Sequence, residues 1–362
     1  MSAFAARVTD ALALANQRLR VQADRSTAAA LWMLIAALFI WAAFAETQLF
    51  VVGIVVGSVL ALGAIGLTLI YGVLRFGNFA HGDMMMLGAY LTFLMLTGTV
   101  VGKRANIDTD VGWSLDRLPG ATERLGDLTF GWGFLAAFAV AAVAVAALSI
   151  GLDRLIYRPL RRRKSGIVLF AVASLGVAFS TRAVLLMIWG PDPRVYVPGI
   201  HRAKHYPFDV VLKTDQIFIF CVALGAATLV YLLLFHTKLG KAMRAYADNP
   251  ELALVSGINT DRVILWTWVI AGTLMAAAGA LLALQANLKP ELGFGLLLPI
   301  FAAAILGGIG KPQGAFIGAM VVAVTQEVST EFFSAGYKPG VAFVILVLIL
   351  LVRPRGLFGS TS

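Results

Sequence analysis

Charged side chains are scarce in this sequence of 362 residues: Asp, Glu, Lys and Arg together make up only 13%. Soluble domains usually carry about 25% charged residues, so the composition argues against a soluble globular protein. Apolar residues instead make up 60%, and the mean hydropathy is +0.87. They occur in continuous runs, and a helix needs about 20 apolar residues to cross a bilayer. The sequence therefore predicts an all-α polytopic membrane protein.

Cysteine and nucleotide-binding motifs are also nearly absent. The one cysteine, Cys221, cannot form a disulfide within the chain, and its place in an apolar run predicts a buried, inert thiol. A P-loop needs Gly, four residues, and then Gly-Lys-Ser/Thr. The nearest stretch, GGIGKPQ, has Ile305 at the first glycine position and Pro312 at the Ser/Thr position. We therefore predict no catalytic centre and no cofactor, and any ATP hydrolysis has to come from a partner.

Ten apolar runs are long enough, or nearly long enough, to be membrane segments. Their apolar residues are continuous, whereas strands of a membrane barrel alternate apolar and polar residues over about ten positions. The last three runs are short or are interrupted by glycine. We predict segments at about residues 28–45, 50–71, 84–101, 130–150, 166–189, 216–236, 262–288, 296–310, 313–332 and 338–352.

The net charge of +10 lies in the loops and end segments. Basic residues cluster in the amino-terminal stretch and at residues 154–164, 238–244 and 353–355. With ten segments these four places all fall on one side, and the positive-inside rule makes that side the cytoplasm. We therefore predict that both termini are cytoplasmic, and that the loops 102–129 and 190–215 are external.

The transmembrane domain is predicted over residues 28–352, with a cytoplasmic tail at 353–362. Residues 1–27 are predicted to be a cytoplasmic extension that suits an amphipathic helix on the membrane surface. A signal peptide is the second interpretation, because AFAE at 43–46 has a small-x-small cleavage pattern after an apolar run. It ranks second because the charged segment before the apolar run is long for a signal peptide, and because another apolar run follows after four residues.

The stretch RFGNFAHGDMMMLG, residues 75–88, interrupts the apolar sequence with polar groups and glycines. In a functional interpretation, Asn78, His81, Gly82 and Asp83 form a helix break on a transport pathway, since non-helical backbone inside a membrane needs protein or water around it. In a structural interpretation, Asn78 and Asp83 cap helix ends and His81 makes an interhelical hydrogen bond. Capping suffices for the first two, whereas an ionisable residue inside a membrane usually serves a pathway.

A similar break follows later in the chain, in LGGIGKPQGAFIGAM. Paired, glycine-interrupted segments in the two halves of a transporter indicate a translocation site. Small residues also allow helices to pack closely, and for any single glycine that interpretation is at least as well supported. The glycines concerned are Gly307, Gly308, Gly310 and Gly314.

Other polar residues carry weaker signals. Arg182 lies about two turns from the outer end of its segment, and Glu327 is a candidate partner for it. The methionines at 84–86 are more typical of soft packing than of a binding site. His201 and His205 have the spacing of helical metal ligands, but a third ligand is missing, so no metal site is predicted.

A short capped helix is predicted over residues 250–256. Its signals are an amide N-cap, a proline at the first position, an acidic residue in the first turn and a glycine for the left-handed C′ position. These residues are Asn249, Pro250, Glu251 and Gly257. Ala253 and Leu254 supply a small apolar face. Such a short helix is marginally stable alone in water. It is therefore either stabilised by the surface of a partner protein or is a solvated connector. The capping residues are equally compatible with both interpretations.

The spacing of Glu251, Ala253 and Gly257 is similar to a cytoplasmic signature of ATP-driven importer permeases, Glu-Ala-Ala followed after three residues by Gly. Leu252 replaces the first Ala. Four blocks, in order, resemble the branched-chain amino acid ABC importers, and specifically the smaller of their two permease subunits, over about residues 50–359. The blocks are GLTLIYGVLRFGNFAHGDMMMLGAY (66–90), DNPELALVSGINTDRVILWTWVIAG (248–272), ILGGIGKPQGAFIGA (305–319) and VRPRGLFG (352–359).

This resemblance implies a bacterial cell inner membrane protein that forms a heterodimer with a second permease subunit. It further implies two cytoplasmic ATPase subunits, an external solute-binding protein, and branched-chain or other hydrophobic amino acids as solutes. Related permeases carry urea or short amides. An ion-coupled secondary transporter is the alternative from another class, although the segments offer only Asp83 and Glu327 as coupling carboxylates. A membrane enzyme would have to use His81 and Asp83 catalytically.

Overall fold

The computed structural model describes residues 26–27, 29–101, 108–199, 203–354 and 356–359. Of the extension predicted over residues 1–27 to suit an amphipathic helix, residues 1–25 lie outside this part of the chain, and so does His201. Within the described residues the chain is a bundle of α-helices with two short β-hairpins.

The helices follow one another through most of the described chain. In order they are α1 Ala29–Ala45, α2 Thr47–Leu74, α3 His81–Thr97, α4 Trp132–Leu152, α5 Arg158–Arg162, α6 Ile167–Trp189, α7 Thr214–His236, α8 Lys238–Asp248, α9 Pro250–Val255, α10 Thr260–Gln285, α11 Leu292–Gly307, α12 Pro312–Val328 and α13 Lys338–Val352. One π-helical turn, Asp153–Tyr157, joins α4 to α5.

Each of the ten predicted segments coincides with one helix, with shifts of a few residues at the ends. In the part of the chain that the structure describes, six helical units are long and apolar enough to cross a membrane, namely α2, the joined α4–α5 unit, α6, α7, α10, and α13 with the turn before it. Helices α1 and α11 are apolar but shorter. The prediction of an all-α, multi-pass membrane protein is therefore confirmed.

Helices α2 and α10 form the interior of the bundle. About two thirds or more of their apolar windows are buried, whereas α6, α7 and α13 are mostly exposed. Small residues make this close packing possible: Gly53 of α2 lies against the backbone of Val324 in α12, and Gly272 of α10 lies against Ala146 of α4. The peripheral helices show apolar side chains outward, as helices that face lipid do.

Two antiparallel hairpins lie at one end of the bundle, here called the hairpin end. They are β1 Thr99–Val101 with β2 Asp108–Asp110, and β3 Lys204–Tyr206 with β4 Val210–Leu212. The indole of Trp189 donates to the carbonyl of Thr99 at 2.9 Å, and the Gln48 side chain makes two hydrogen bonds with the backbone of Val211. The two loops predicted to be external therefore lie together, beside the start of α2.

The opposite end contains α8, α9, the 308–311 turn and residues 356–359, and is called the α9 end. The ammonium of Lys311 donates to the carbonyl of Phe358, and the ring of Trp32 in α1 packs edge-on against the ring of Phe358. Both the start of α1 and the last described residues are thus at the end that contains the basic loops.

The prediction of a buried thiol is wrong, because Cys221 is exposed. It lies on α7, which is peripheral and buries only one face, with Ile219 and Ala223 turned inward. Hydropathy shows that a residue lies in a membrane segment, but the side of the helix that faces protein depends on tertiary packing.

Candidate functional site

The polar stretch between α2 and α3 enters the bundle instead of crossing its surface. α2 ends at Leu74 and α3 begins at His81, so residues 75–80 are not helical. The ring of His81 lies against Gly66, about two turns and 12 Å before the end of α2. Helix α3 therefore starts deep among the other helices, and residues 75–80 form a re-entrant segment that leads to it.

The backbone of the re-entrant segment is hydrogen-bonded by nearby side chains, as non-helical backbone at this depth requires. The amide of Phe79 donates to Oγ of Ser174 in α6 at 3.1 Å. The amide of Ala80 donates to Oδ1 of Asn78, also at 3.1 Å. The Phe76 ring packs between the rings of Tyr157 and Phe170.

Asn78 and His81 are both fully buried, with different surroundings. Asn78 accepts the Ala80 amide, which organises the start of α3, and also the hydroxyl of Tyr157 at 3.4 Å. The interhelical hydrogen bond predicted for His81 is not found: neither ring nitrogen has a hydrogen-bond partner among the described residues, although the backbone of Gly63 lies close to the ring. His81 is thus a buried polar group in a site made mostly of glycine and apolar residues.

Asp83 lies in the first turn of α3 and is not its N-cap, which is Ala80. Its buried carboxylate accepts two hydrogen bonds from the guanidinium of Arg182 in α6, at 2.9 and 3.1 Å. The guanidinium also lies over the ring of Phe294 in α11, 4.4 Å from its centroid. The predicted Arg182–Glu327 pair is therefore wrong, and Glu327 instead accepts a hydrogen bond from Lys338 at 2.6 Å.

The start of α3 packs against the start of α11, whereas the later glycine-rich turn lies at the other end of α11. Gly82 and Gly293 are in backbone contact, so a Cβ on either would overlap the carbonyl of the other. Helices α3 and α11 consequently begin side by side within the bundle. The sequence pointed to the opposite end of α11 because the glycines are denser there.

The later glycines lie at the α9 end of the bundle. Gly308 and Gly310 have positive φ angles in the turn between α11 and α12, while Gly307 and Gly314 are packed backbone to backbone. The carboxyl-terminal residues cover this turn, since the amide of Leu357 donates to the carbonyl of Leu306. These four glycines form a tight helix–helix connection.

Helix α9 has the caps that its sequence predicts. Oδ1 of Asn249 accepts the amides of Glu251 at 3.1 Å and Leu252 at 3.0 Å. Gly257 has a φ of 81°. The amides of Gly257 and Ile258 donate to the carbonyls of Leu254 and Ala253, and this pair of bonds is the Schellman motif. Both ends of α9 are therefore closed by local hydrogen bonds.

The exposed face of α9 differs from the predicted one. Of the two residues of the predicted apolar face, Ala253 is only 3% exposed and turns toward the bundle. The outward apolar side chains are Leu252, Leu254 and Val255, exposed by 64%, 61% and 86%. Because the helix is held at both ends, these side chains form a small apolar surface of defined shape.

Two polar connections near α9 were not identified from the sequence. Arg75, at the start of the re-entrant segment, donates to the carbonyls of Ala247 and Asp248, the last residues of α8. Asp153 accepts two hydrogen bonds from Arg161 and one from the indole of Trp268, which ties α4 to α10. The only sequence signal for either connection was a charge at the edge of an apolar run.

Within the described residues, no group of three or more His, Cys, Asp or Glu is arranged to hold a metal ion. The site consists of the non-helical segment 75–80, the helices packed around it and the buried ion pair of Asp83 and Arg182.

Comparison with known proteins gives consistent matches over most of the chain. The family model described as "Branched-chain amino acid transport system / permease component" matches residues 49–352. The high-affinity branched-chain amino acid transport system permease protein LivH of Escherichia coli is 32% identical over 313 residues, covering 85% of this chain and 93% of LivH. The corresponding protein BraD of Pseudomonas aeruginosa is 33% identical over 316 residues, covering 86% of this chain and 95% of BraD.

Among solved structures, PsaBC from Streptococcus pneumoniae in complex with Fab matches with a TM-score of 0.43 and 13% identity, covering 89% of this chain and 98% of that one. The family model matches the chain across its helices, from the third residue of α2 to the end of α13, and the two permease proteins match about as much of it. The chain therefore belongs to the family of permease components of branched-chain amino acid transport systems.

Proposed function

We propose that this permease forms, with a second permease subunit, the membrane path for branched-chain or other hydrophobic amino acids in an ATP-driven importer. Two cytoplasmic ATPase subunits would drive it, and an external solute-binding protein would deliver the solute. We further propose ten membrane segments in a bacterial inner membrane, with the α9 end and both termini in the cytoplasm. The names of the related permeases support the solute class.

The observation on which ATPase coupling rests is the exposed apolar surface of α9. A helix of six residues closed at both ends keeps its shape when a partner moves it. Exposed apolar side chains on such a helix are suited to a cleft on another protein, because their burial there is favourable by about 25 cal/mol per Å². α10 begins five residues after α9 ends, so displacement of α9 is transmitted directly to a membrane helix.

We propose that the re-entrant segment and the start of α3 border the pathway. Asn78, His81 and Asp83 are buried inside this chain, and Arg182, whose side chain is 16% exposed, links them to the outer face of α6. Movement of α3 or α6 would disturb the buried ion pair between Asp83 and Arg182. The ion pair therefore forms or breaks with the relative position of these two helices. Gly82, packed on Gly293, keeps α3 and α11 together during that movement.

The alternatives are supported less well. Transport of urea or short amides in the same family remains the closest alternative, and solute uptake distinguishes it. An ion-coupled transporter requires carboxylates available for the coupling ion, but Asp83 and Glu327 are both engaged in ion pairs. A membrane enzyme would need a nucleophile beside His81, whose ring contacts Gly66.

Reconstitution in proteoliposomes with the ATPase subunits and the binding protein tests the proposal. We expect ATP-dependent uptake of leucine, isoleucine or valine and no ATP-dependent uptake of urea. The paired substitution Leu254→Ser and Val255→Ser should abolish co-purification of the ATPase while leaving the permease in the membrane. Ile309→Ser, at another exposed apolar residue of the same end, is the matched control. Uptake driven by an ion gradient without the ATPase would overturn the proposal.

A further inference from the structure

Two cavities on the flank of the bundle share a wall. The larger, of about 700 Å³, lies at the α9 end where α2 and α7 finish and α12 begins. The smaller, of about 250 Å³, lies between α7 and α12, farther from that end. Both are lined by Leu234, Phe235, Pro312 and Gln313, so they are two parts of one groove.

The larger cavity is cationic. Lys241, Arg244 and Lys311 line it, and Asp248 is the one acidic residue in its lining. The guanidinium of Arg244 lies 4.7 Å from the ring centroid of Phe235, which holds it at the cavity wall. Three cations against one carboxylate favour an anionic group of a ligand here. Basic pockets between membrane helices at the surface of a bilayer are a recurrent site for acidic lipid head groups.

The smaller cavity is mostly apolar and lies along the second half of α7, a helix long and apolar enough to cross a membrane. Its walls include Ile65, Leu224, Ala227, Phe316 and Ile317. Leu224 and Phe235 are eleven residues apart on α7, about 16 Å along the helix axis. This length is close to half of a hydrocarbon core of about 30 Å, so the groove extends through one leaflet.

We propose that this groove binds one anionic phospholipid, with its phosphate among Lys241, Arg244 and Lys311 and an acyl chain between α7 and α12. A soluble anion of similar charge would leave the apolar part of the groove empty, whereas a phospholipid matches both parts. Ala247 and Asp248 also line the groove, directly before the N-cap of α9. A lipid in this groove therefore contacts the junction between α8 and α9.

The test counts lipid bound to the purified permease by native mass spectrometry, after delipidation and addition of defined lipids. We expect phosphatidylglycerol to be retained and phosphatidylcholine to be lost. A basic residue near the membrane surface contributes about 1 kcal/mol, or fivefold in affinity. The double substitution Lys241→Gln and Arg244→Gln should therefore weaken phosphatidylglycerol binding by about 25-fold. Lys238→Gln, on the same helix but outside the groove, should have little effect.

A second variant and a competitor separate the head-group and acyl parts of the groove. Ala227→Phe fills the apolar part and should lower retention while leaving all three cations in place. Glycerol phosphate, which has the phosphate without acyl chains, should fail to displace the lipid at equal concentration. Equal retention of both lipids, unchanged binding in the double variant, or displacement by glycerol phosphate would overturn the proposal. So would cross-linking of Thr228→Cys, in a Cys221→Ala background, to the second permease subunit of the assembled importer, since a protein would then occupy the groove.

Discussion

The Asp83–Arg182 ion pair joins α3 to α6 through two hydrogen bonds. Arg182→Met would leave a fully buried carboxylate without its partner, and we expect a loss of about 3–5 kcal/mol in the free energy of unfolding. Adding Asp83→Leu removes the unpaired charge, so the double variant should recover much of the loss. Thermal unfolding in detergent measures both changes.

The exposed Arg158–Asp261 pair is a matched control for this experiment. Its side chains are 36% and 71% exposed, so Arg158→Met should cost no more than about 1 kcal/mol. Equal melting temperatures for Arg182→Met and the double variant would show that the buried charge is not the cause.

His81 tests the functional interpretation of the re-entrant segment at the scale of a single side chain. Leucine has a similar volume, and volume-conserving substitutions in a core are tolerated best, so His81→Leu should reach the membrane in normal amounts. We expect uptake to fall severalfold because the buried imidazole is lost. His205→Leu, in the exposed strand β3, should leave uptake unchanged. Normal uptake by His81→Leu would assign His81 to packing alone.

At the scale of elements, α9 depends on the left-handed residue that ends it. A Cβ at Gly257 meets no atom within 4 Å, so any effect of a substitution comes from its φ of 81° and not from a clash. Gly257→Val should cost about 1–2 kcal/mol at this residue and redirect the helix. We expect the protein to remain in the membrane, with uptake lost and solute-stimulated ATPase activity reduced.

Gly257→Asn is the matched control for α9, because asparagine adopts the left-handed region more readily than other residues. It should keep most of the stimulated activity. Normal uptake and normal solute-stimulated ATPase activity in Gly257→Val would show that α9 only connects α8 to α10.

Arg75 connects two elements, since it begins the re-entrant segment and binds the last carbonyls of α8. Its φ of 56° is also accessible to asparagine, so Arg75→Asn removes the guanidinium and keeps the backbone. We predict that this variant transports less solute for each ATP hydrolysed, because movement of α8 and α9 no longer reaches residues 75–80. Arg163→Asn, at an exposed arginine of the same end, is the control. An unchanged ratio of uptake to hydrolysis would exclude this connection.

For the whole molecule, the main prediction is its orientation. In a Cys221→Ala background, we expect an impermeant thiol reagent added outside to label Glu123→Cys at the hairpin end and not Arg162→Cys at the α9 end. The background substitution is necessary because Cys221 is itself exposed. Outside labelling at position 162 would reverse the proposed topology, and with it the cytoplasmic position of α9.

The sequence by itself determined the features that depend on neighbours along the chain. Apolar runs predicted all six of the described helices that are long and apolar enough to cross a membrane, because the bilayer requires continuous apolar residues and internal hydrogen bonds. Asn249 and Gly257 predicted both ends of α9, since capping bonds join residues within five positions of each other. The four sequence blocks predicted the family, which the matches to the related permeases confirmed.

The tertiary structure alone decided which residues meet. Arg182 is 99 positions from Asp83, and Arg75 is 172 positions from Ala247. In an apolar helix each charge has several partners within reach, so hydropathy could not choose Asp83 over Glu327. The inward turn of Ala253 and the contact of Gly82 with Gly293 likewise depend on how helices rotate and approach. The rotation of each helix and its distance from its neighbours depend on small residues that pack together across separate helices. Such contacts join distant parts of the sequence, so a single stretch does not reveal them.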